Sequence, residues 1–288
     1  MKDLKVIDVR VHGGDSGFLI DDGGTSVLYD SGFAFTGDGM VEKIKSHLGD
    51  RKLDYIFLTH SHYDHVLGSL YAMKQWPDAK VIASDYAAKI FNKPSAKAVM
   101  RDLDKKFAFT CGASPYEDII DNLKVDIEVK ENDIVKAGNM TFKVVELPGH
   151  TKCSIGFYLI EKKLLLSNET LGIYAGNDII LPSFLVGYKM TLASIEKVEK
   201  MDVEHILVPH YGLLDGEDTQ KFLKNAKRVA KETADDFSNR IKSGESDSSL
   251  IEYFKSIYYH DYVRVIYPID AIELNTKCMI DLIKRECL

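Results

Sequence analysis

The segment His60–His65 concentrates side chains that bind metals, with three imidazoles and one carboxylate within six residues. The apolar run Tyr55–Thr59 directly before it is typical of a strand covered on both faces. A loop at the end of such a strand can turn several side chains toward one point. Imidazole and carboxylate donors without thiolate favour zinc, with iron or manganese as alternatives. The segment therefore predicts a metal site.

Three more candidate ligands each follow a predicted strand. His150 follows Thr141–Leu147 through a Pro-Gly turn, Glu169 follows Lys163–Ser167, and His210 follows His205–Val208 through a proline. Each residue alone is a weak signal, because a single histidine is most often a surface or core residue. Four strands that each end in a metal-binding residue can converge on one cleft, and the set offers room for two metal ions.

Four motifs, THSHYDHVLG, PGHT, SNET and PHYG, occur in this order between residue 5 and about residue 214. Together they resemble the metallo-β-lactamase-fold hydrolase superfamily, in its glyoxalase II-like HxHxDH branch. The resemblance implies an α+β fold, a four-layer αββα sandwich with the metals at one edge of its two sheets. It also implies two metal sites: the first would contain His60, His62 and His150, and the second Asp64, His65 and His210.

One ligand departs from the family pattern. The bridging residue is usually an aspartate after a Ser-Gly pair, whereas this chain has Ser167-Asn168-Glu169. Glu169 is longer by one methylene and could bridge both metals or bind only one, or Asn168 could take its place; we favour Glu169 as the ligand. The SNET run is also similar to the iron-using flavodiiron branch, but that branch has Glu where this chain has His62 and carries a flavodoxin domain.

The ligand set predicts a dinuclear metal-dependent hydrolase that uses a metal-bound hydroxide, because zinc lowers the pKa of bound water to near ~7. Asp64 is the candidate catalytic residue, which would orient the hydroxide and carry its proton to the leaving group. A thioester, lactone or related ester is the leading substrate class. The alternatives are a phosphodiester, or a di-iron protein that binds oxygen or performs redox chemistry. Beyond the two divalent metal ions, no cofactor-binding residues are predicted.

Composition limits the partners and the compartment. With 37 basic and 44 acidic residues the net charge is −7, which argues against a nucleic-acid partner and favours a small-molecule substrate. No apolar run reaches the ~18 residues of a membrane-spanning helix, and the first residues lack a signal-peptide core. We therefore expect a cytoplasmic protein without membrane attachment, and a homodimer is left open.

The chain of 288 residues is expected to contain a catalytic domain at 1–216 and a helical C-terminal extension at 217–288. In the extension, Phe222, Ala226 and Val229 recur at helical spacing, so the extension must bury an apolar stripe. Within the catalytic domain, 92–122 loses the core pattern where prolines, a glycine and charges interrupt helical fragments. This insertion is expected to be either a surface excursion or a lid over the site.

Overall fold

The computed structural model describes residues 4–288, so the first three residues of the predicted catalytic domain lie outside the described residues. The described chain divides into two compact units. The first contains the residues up to Glu146 together with Ile155–Leu166, and the second contains Leu147–Ser154 and Ser167–Leu288. The predicted separation of a helical extension after Gly216 is a different division and stays a prediction.

The first unit contains a six-stranded sheet whose strands lie in chain order: β1 (Lys5–Asp8), β2 (Phe18–Asp21), β3 (Ser26–Tyr29), β4 (Tyr55–Phe57), β5 (Lys80–Ser84) and β6 (Ile127–Val129). The first three strands are antiparallel, and β3 to β6 are parallel. Strand β3 is buried along its whole length, as a central strand covered on both faces should be. Because β3 and β4 are parallel, with Tyr29 opposite Phe57, the residues that follow both strands emerge at the same edge.

Five helices belong to this unit: α1 (Gly37–Leu48), α2 (Tyr63–Val66), α3 (Ser69–Gln75), α4 (Asp85–Phe91) and α5 (Pro94–Thr110). Helix α5 corrects the expectation that 92–122 is broken into fragments, since 17 residues of it form one helix. Pro94 does not interrupt this helix, because it occupies the first turn, where the missing N–H would be unsatisfied anyway. Whether the segment acts as a lid stays a prediction.

Four further strands of the first unit pair antiparallel in the order β7 (Ile134–Ala137), β8 (Met140–Glu146), β9 (Ile155–Leu159) and β10 (Leu164–Leu166). Strands β9 and β10 are joined by a 3₁₀ turn over Ile160–Lys162, which is followed by Lys163 at φ 47°. The ring of Phe57 from the first sheet stacks on Phe157 at 4.4 Å and meets Phe142 edge-on at 5.0 Å. The two sets of strands therefore pack face to face around an aromatic core.

The second unit contains two short antiparallel pairs, β11 (Ile173–Tyr174) with β12 (Ile180–Leu181) and β13 (His205–Val208) with β14 (Gly212–Asp215). Its helices are α6 (Tyr188–Glu199), α7 (Gly216–Lys242), α8 (Asp247–Tyr258), α9 (Asp261–Ile266) and α10 (Ile269–Glu286). The predicted helical stretches after Gly216 are confirmed. The predicted stripe of α7 is buried at Phe222, Ala226 and Val229, and α7 packs against α6 and α10.

None of the helices formed by residues 4–288 combines the length and the apolar character that crossing a bilayer requires.

Candidate metal centre

In the first unit, the loop after β4 brings the three histidines of the HxHxDH segment together. The ring centroid of His60 lies 4.1 Å from that of His65 and 4.7 Å from that of His62. Residues Asp64 and His65 belong to the first turn of α2, and the Oδ2 atom of Asp64 is 3.6 Å from the Nε2 atom of His65. His60, Asp64 and His65 are buried, whereas His62 is half-buried. The short helix α2 therefore places Asp64 and His65 next to the two histidines that precede it.

Asp30, which directly follows β3, holds this cluster in place. Its Oδ2 atom is 2.7 Å from Nδ1 of His65, and its Oδ1 atom accepts a hydrogen bond of 2.9 Å from the Thr59 amide. The Thr59 hydroxyl lies 3.0 Å from both Asp30 Oδ2 and Nδ1 of His60. Because Nδ1 of both histidines contacts the protein, Nε2 is the nitrogen that would coordinate a metal. Asp30 is fully buried, and at φ 48° its backbone is left-handed.

Sequence reasoning missed Asp30. The available signal was positional: Asp30 follows the buried strand Ser26–Tyr29, as the histidine segment follows Tyr55–Thr59. Nothing local showed that the two strands are neighbours and parallel, which is what brings Asp30 to His65.

The last glycine of THSHYDHVLG is required by close packing against the loop after Asp30. A Cβ atom on Gly68 would lie 1.8 Å from the carbonyl oxygen of Ser31, although the φ and ψ of Gly68 are ordinary helical values. Ser31 in turn donates its amide to the carbonyl of His65 at 2.7 Å. The glycine therefore allows the ligand-bearing helix to approach this loop.

Gly68→Ala is expected to lower the free energy of unfolding by about 3 kcal/mol, because the new methyl group must displace a backbone carbonyl in a packed region. Chemical denaturation of both proteins measures this change. Gly24→Ala is the matched control, since its Cβ would meet no atom nearer than 3.6 Å. Equal stability of Gly68→Ala and wild type would contradict the packing argument.

In the second unit, Glu169 lies between two histidines. Its Oε2 atom is 2.6 Å from Nε2 of His150, and its Oε1 atom is 3.0 Å from Nε2 of His210. All three side chains are at most 1% exposed. The structure therefore brings together the three candidate ligands that were predicted after the histidine segment.

Local structure fixes the position of each of these three side chains. His150 is held through Nδ1 by the Ser183 hydroxyl at 2.8 Å, so its Nε2 atom points to Glu169. Glu169 begins a 3₁₀ turn that Asn168 caps, because the side-chain oxygen of Asn168 accepts the amide of Thr170 at 2.9 Å. His210 occupies the turn between β13 and β14 at φ 63°. Asn168 thus has a capping contact, while Glu169 carries the contacts to the histidines.

The charge state of Glu169 reflects competing effects. Burial of the carboxyl raises its pKa, but the charges and hydrogen bonds of His150 and His210 lower the pKa further, so it lies well below its usual value. Glu169 is therefore an anion at neutral pH, which is the protonation state that a metal ligand needs.

Two tyrosines of the C-terminal region, Tyr262 in α9 and Tyr267 directly after it, also contact this group. The sequence did not predict that either would contact a candidate ligand. The hydroxyl of Tyr267 donates to Oε1 of Glu169 at 2.5 Å, and the hydroxyl of Tyr262 donates to the backbone carbonyl of His210 at 2.5 Å. No local pattern showed which of the 15 tyrosines would contact candidate ligands.

The donor set fits divalent metal ions. It consists of imidazole nitrogens and carboxylates without a thiolate, and partners on the opposite ring nitrogen orient His60, His65 and His150. The convergence of all seven predicted ligands on one centre stays a prediction.

Comparison with known proteins places these motifs in a family. Residues 12–210 match the model of the metallo-beta-lactamase superfamily. ST1585, a metallo-beta-lactamase fold-containing protein from Sulfurisphaera tokodaii, is 28% identical over 184 residues, or 60% of this chain and 66% of that protein. Its crystal structure gives a TM-score of 0.58 and covers 81% of this chain and 86% of its own.

Two other similarities differ in extent. A metallo-beta-lactamase family protein from Thermus thermophilus is only 16% identical but has a TM-score of 0.68, covering 100% of this chain and 95% of its own. A hydroxyacylglutathione hydrolase from Legionella pneumophila is 28% identical over 116 residues, which span 40% of this chain and only 33% of that enzyme.

These comparisons confirm the predicted α+β fold with its C-terminal helical region and the resemblance drawn from the four motifs. Since the family model covers well over half of the residues, the chain belongs to the metallo-beta-lactamase superfamily.

Proposed function

We propose that this chain is a dinuclear metal-dependent hydrolase that cleaves a thioester, a lactone or a related ester. The observation that carries the proposal is the His60–His65 cluster at the end of a buried parallel strand, where Asp30 and Thr59 hold Nδ1 of two histidines. A hydrogen-bond partner on the ring nitrogen that does not bind the metal fixes the tautomer of a metal-binding imidazole and raises its basicity. Two neighbouring histidines that are both held through Nδ1 are typical of metal ligands.

The family pattern divides the ligands between two metals. His60, His62 and His150 would hold the first ion, and Asp64, His65 and His210 the second, with Glu169 between them. Bound zinc, or alternatively iron or manganese, supplies Lewis acidity and makes water a nucleophile at neutral pH. The two carboxylate oxygens of Glu169 contact two different histidines, which supports a bridging role for Glu169.

We propose that Asp64 transfers the proton of the attacking water to the leaving group. As a ligand its carboxylate would orient the attacking water, accept a proton from it and carry that proton to the leaving thiolate or alkoxide. Its position in the first turn of α2, buried and 3.6 Å from Nε2 of His65, gives it a fixed orientation among the ligands.

Aromatic rings beside His210 favour an acyl substrate. The ring of Tyr211 lies 4.6 Å from that of Tyr174 and 6.5 Å from that of Tyr262, and Tyr211 is 37% exposed. Amphipathic rings of this kind form apolar walls with polar edges. The similarity to hydroxyacylglutathione hydrolases supports a thioester, and the net charge of −7 disfavours nucleic-acid phosphodiesters.

A substrate panel on the purified protein tests this proposal. It should contain glutathione thioesters, coenzyme A thioesters, lactones and bis(4-nitrophenyl) phosphate. We expect turnover of at least one thioester or lactone well above that of the phosphodiester. Activity on the phosphodiester alone, or two bound irons with oxygen consumption and no hydrolysis, would contradict it.

Metal removal is expected to abolish hydrolysis. The protein should contain about two equivalents of metal, measured by elemental analysis, and a chelator should reduce the rate by at least about 100-fold because the chemistry depends on the metal. Adding zinc back should restore the rate. It should also raise the melting temperature, since a ligand at 100 times its Kd stabilises the folded state by about 2.7 kcal/mol.

The control for this experiment is the chelator already saturated with zinc, which cannot remove metal from the protein. Hydrolysis that survives complete metal removal would contradict the proposed chemistry.

A further inference from the structure

We infer that Tyr262 and Tyr267 are positioning residues of the metal centre, so that the C-terminal helical region helps to set the geometry of two metal ligands. The inference rests on the proposed function, because it concerns how Glu169 and His210 are held for a metal. It assigns a role to residues that lie beyond the part of the chain matched by the family model, which ends at residue 210.

Tyr267 is buried and donates a hydrogen bond to the Glu169 carboxylate. It is 6% exposed and follows α9 directly, and its own amide is bonded to the carbonyl of Val263 at 2.9 Å. Its hydroxyl donates to Oε1 of Glu169 at 2.5 Å, the same oxygen that lies 3.0 Å from Nε2 of His210. A phenol is neutral, so it orients the carboxylate without cancelling the charge that attracts a metal.

Tyr262 acts on the other ligand through the backbone. Its hydroxyl donates to the carbonyl oxygen of His210 at 2.5 Å, and His210 has φ 63°. The left-handed region is strained for a residue other than glycine, so this conformation persists only where surrounding contacts hold it. Both tyrosines come from the short segment 261–267, so one element supports both ligands.

The pairing of Tyr267 with Glu169 explains how a glutamate can serve where the family usually has aspartate. The extra methylene adds a rotatable bond and moves the carboxylate about 1.5 Å farther from the backbone. A third contact, in addition to the two histidines, restricts that bond. The shorter side chain of an aspartate at the same position would hold its carboxylate farther from the tyrosine hydroxyl. Its orientation would not depend on that hydrogen bond.

Tyr267→Phe tests the inference, because it removes one hydroxyl and keeps the ring that packs near His210 at 6.2 Å. The measurement is the Kd of each zinc equivalent, from competition with a chromophoric chelator on the full-length protein. We expect the weaker equivalent to lose about 10- to 100-fold in affinity, as is typical when a ligand's hydrogen-bond partner is removed. Tyr262→Phe should weaken the same equivalent. Tyr258→Phe is the matched control, because its hydroxyl bonds to Thr233 of α7 and to no ligand.

A double-mutant cycle separates positioning from general stability. On a Glu169→Asp background, Tyr267→Phe should change zinc affinity less than threefold, since the shortened carboxylate no longer reaches the hydroxyl. Melting temperatures of the metal-free proteins show whether a variant is folded. Equal zinc affinity of wild type and Tyr267→Phe, or an equal loss on both backgrounds, would overturn the inference. Failure of the proposed function is read separately, from the absence of thioester or lactone hydrolysis by the wild-type protein, because zinc affinity is measured without substrate.

Discussion

Asp64→Asn is expected to reduce kcat by roughly 10²- to 10⁴-fold, the range that a positioned acid–base group contributes. The amide that replaces the carboxylate has nearly the same shape, so the first turn of α2 should form as before. It carries no negative charge and cannot take a proton from the attacking water. Steady-state hydrolysis of the best thioester or lactone substrate measures the loss, and circular dichroism checks the fold.

The matched control is Asp50→Asn, which makes the same chemical change at an exposed position between α1 and β4. The control should hydrolyse the substrate at the wild-type rate. If Asp64→Asn does so as well, Asp64 is not the residue that handles the proton. A loss of metal together with activity would still place Asp64 among the ligands, so metal content is measured on the same samples.

Glu169→Gln is expected to reduce bound metal from about two equivalents toward one and to lower kcat at least about 100-fold. The carboxylate contacts both His150 and His210, and an amide has only one oxygen to accept or coordinate. Its NH₂ group would face one of the two imidazole nitrogens, where a metal would otherwise lie. Elemental analysis after gel filtration, together with hydrolysis rates, measures both effects.

Glu217→Gln, in the exposed first turn of α7, is the matched control and should leave both values unchanged. Two tightly bound metals and normal turnover in Glu169→Gln would exclude Glu169 as a bridge. Asn168 would then have to be considered again, even though its side chain caps the turn at Thr170.

Some features followed from local sequence. The strand His205–Val208 was predicted with its observed bounds, because its last three residues form the short apolar run that is typical of a buried strand. The histidine segment was evident for a similar reason, since its donors are adjacent in the chain.

Other features were predicted wrongly or not at all. The prolines of 92–122 were predicted to interrupt helical structure, but Pro94 begins a 17-residue helix. The free-energy cost of a proline depends on its position and is small in the first turn of a helix. Strand β7, the pair β11 and β12, and strand β14 were not predicted. Each has four residues or fewer, which is too short for a periodic pattern to be distinguished from chance.

The sequence by itself determined the family, the fold class and the identity of the candidate ligands, because these depend on residue types at short spacing. Tertiary structure alone decided what holds the ligands. Asp30 meets His65 across 35 residues, and Tyr267 meets Glu169 across 98. Such contacts depend on which strands are neighbours and where a distant helix ends, and no local pattern of hydrophobicity or spacing encodes that.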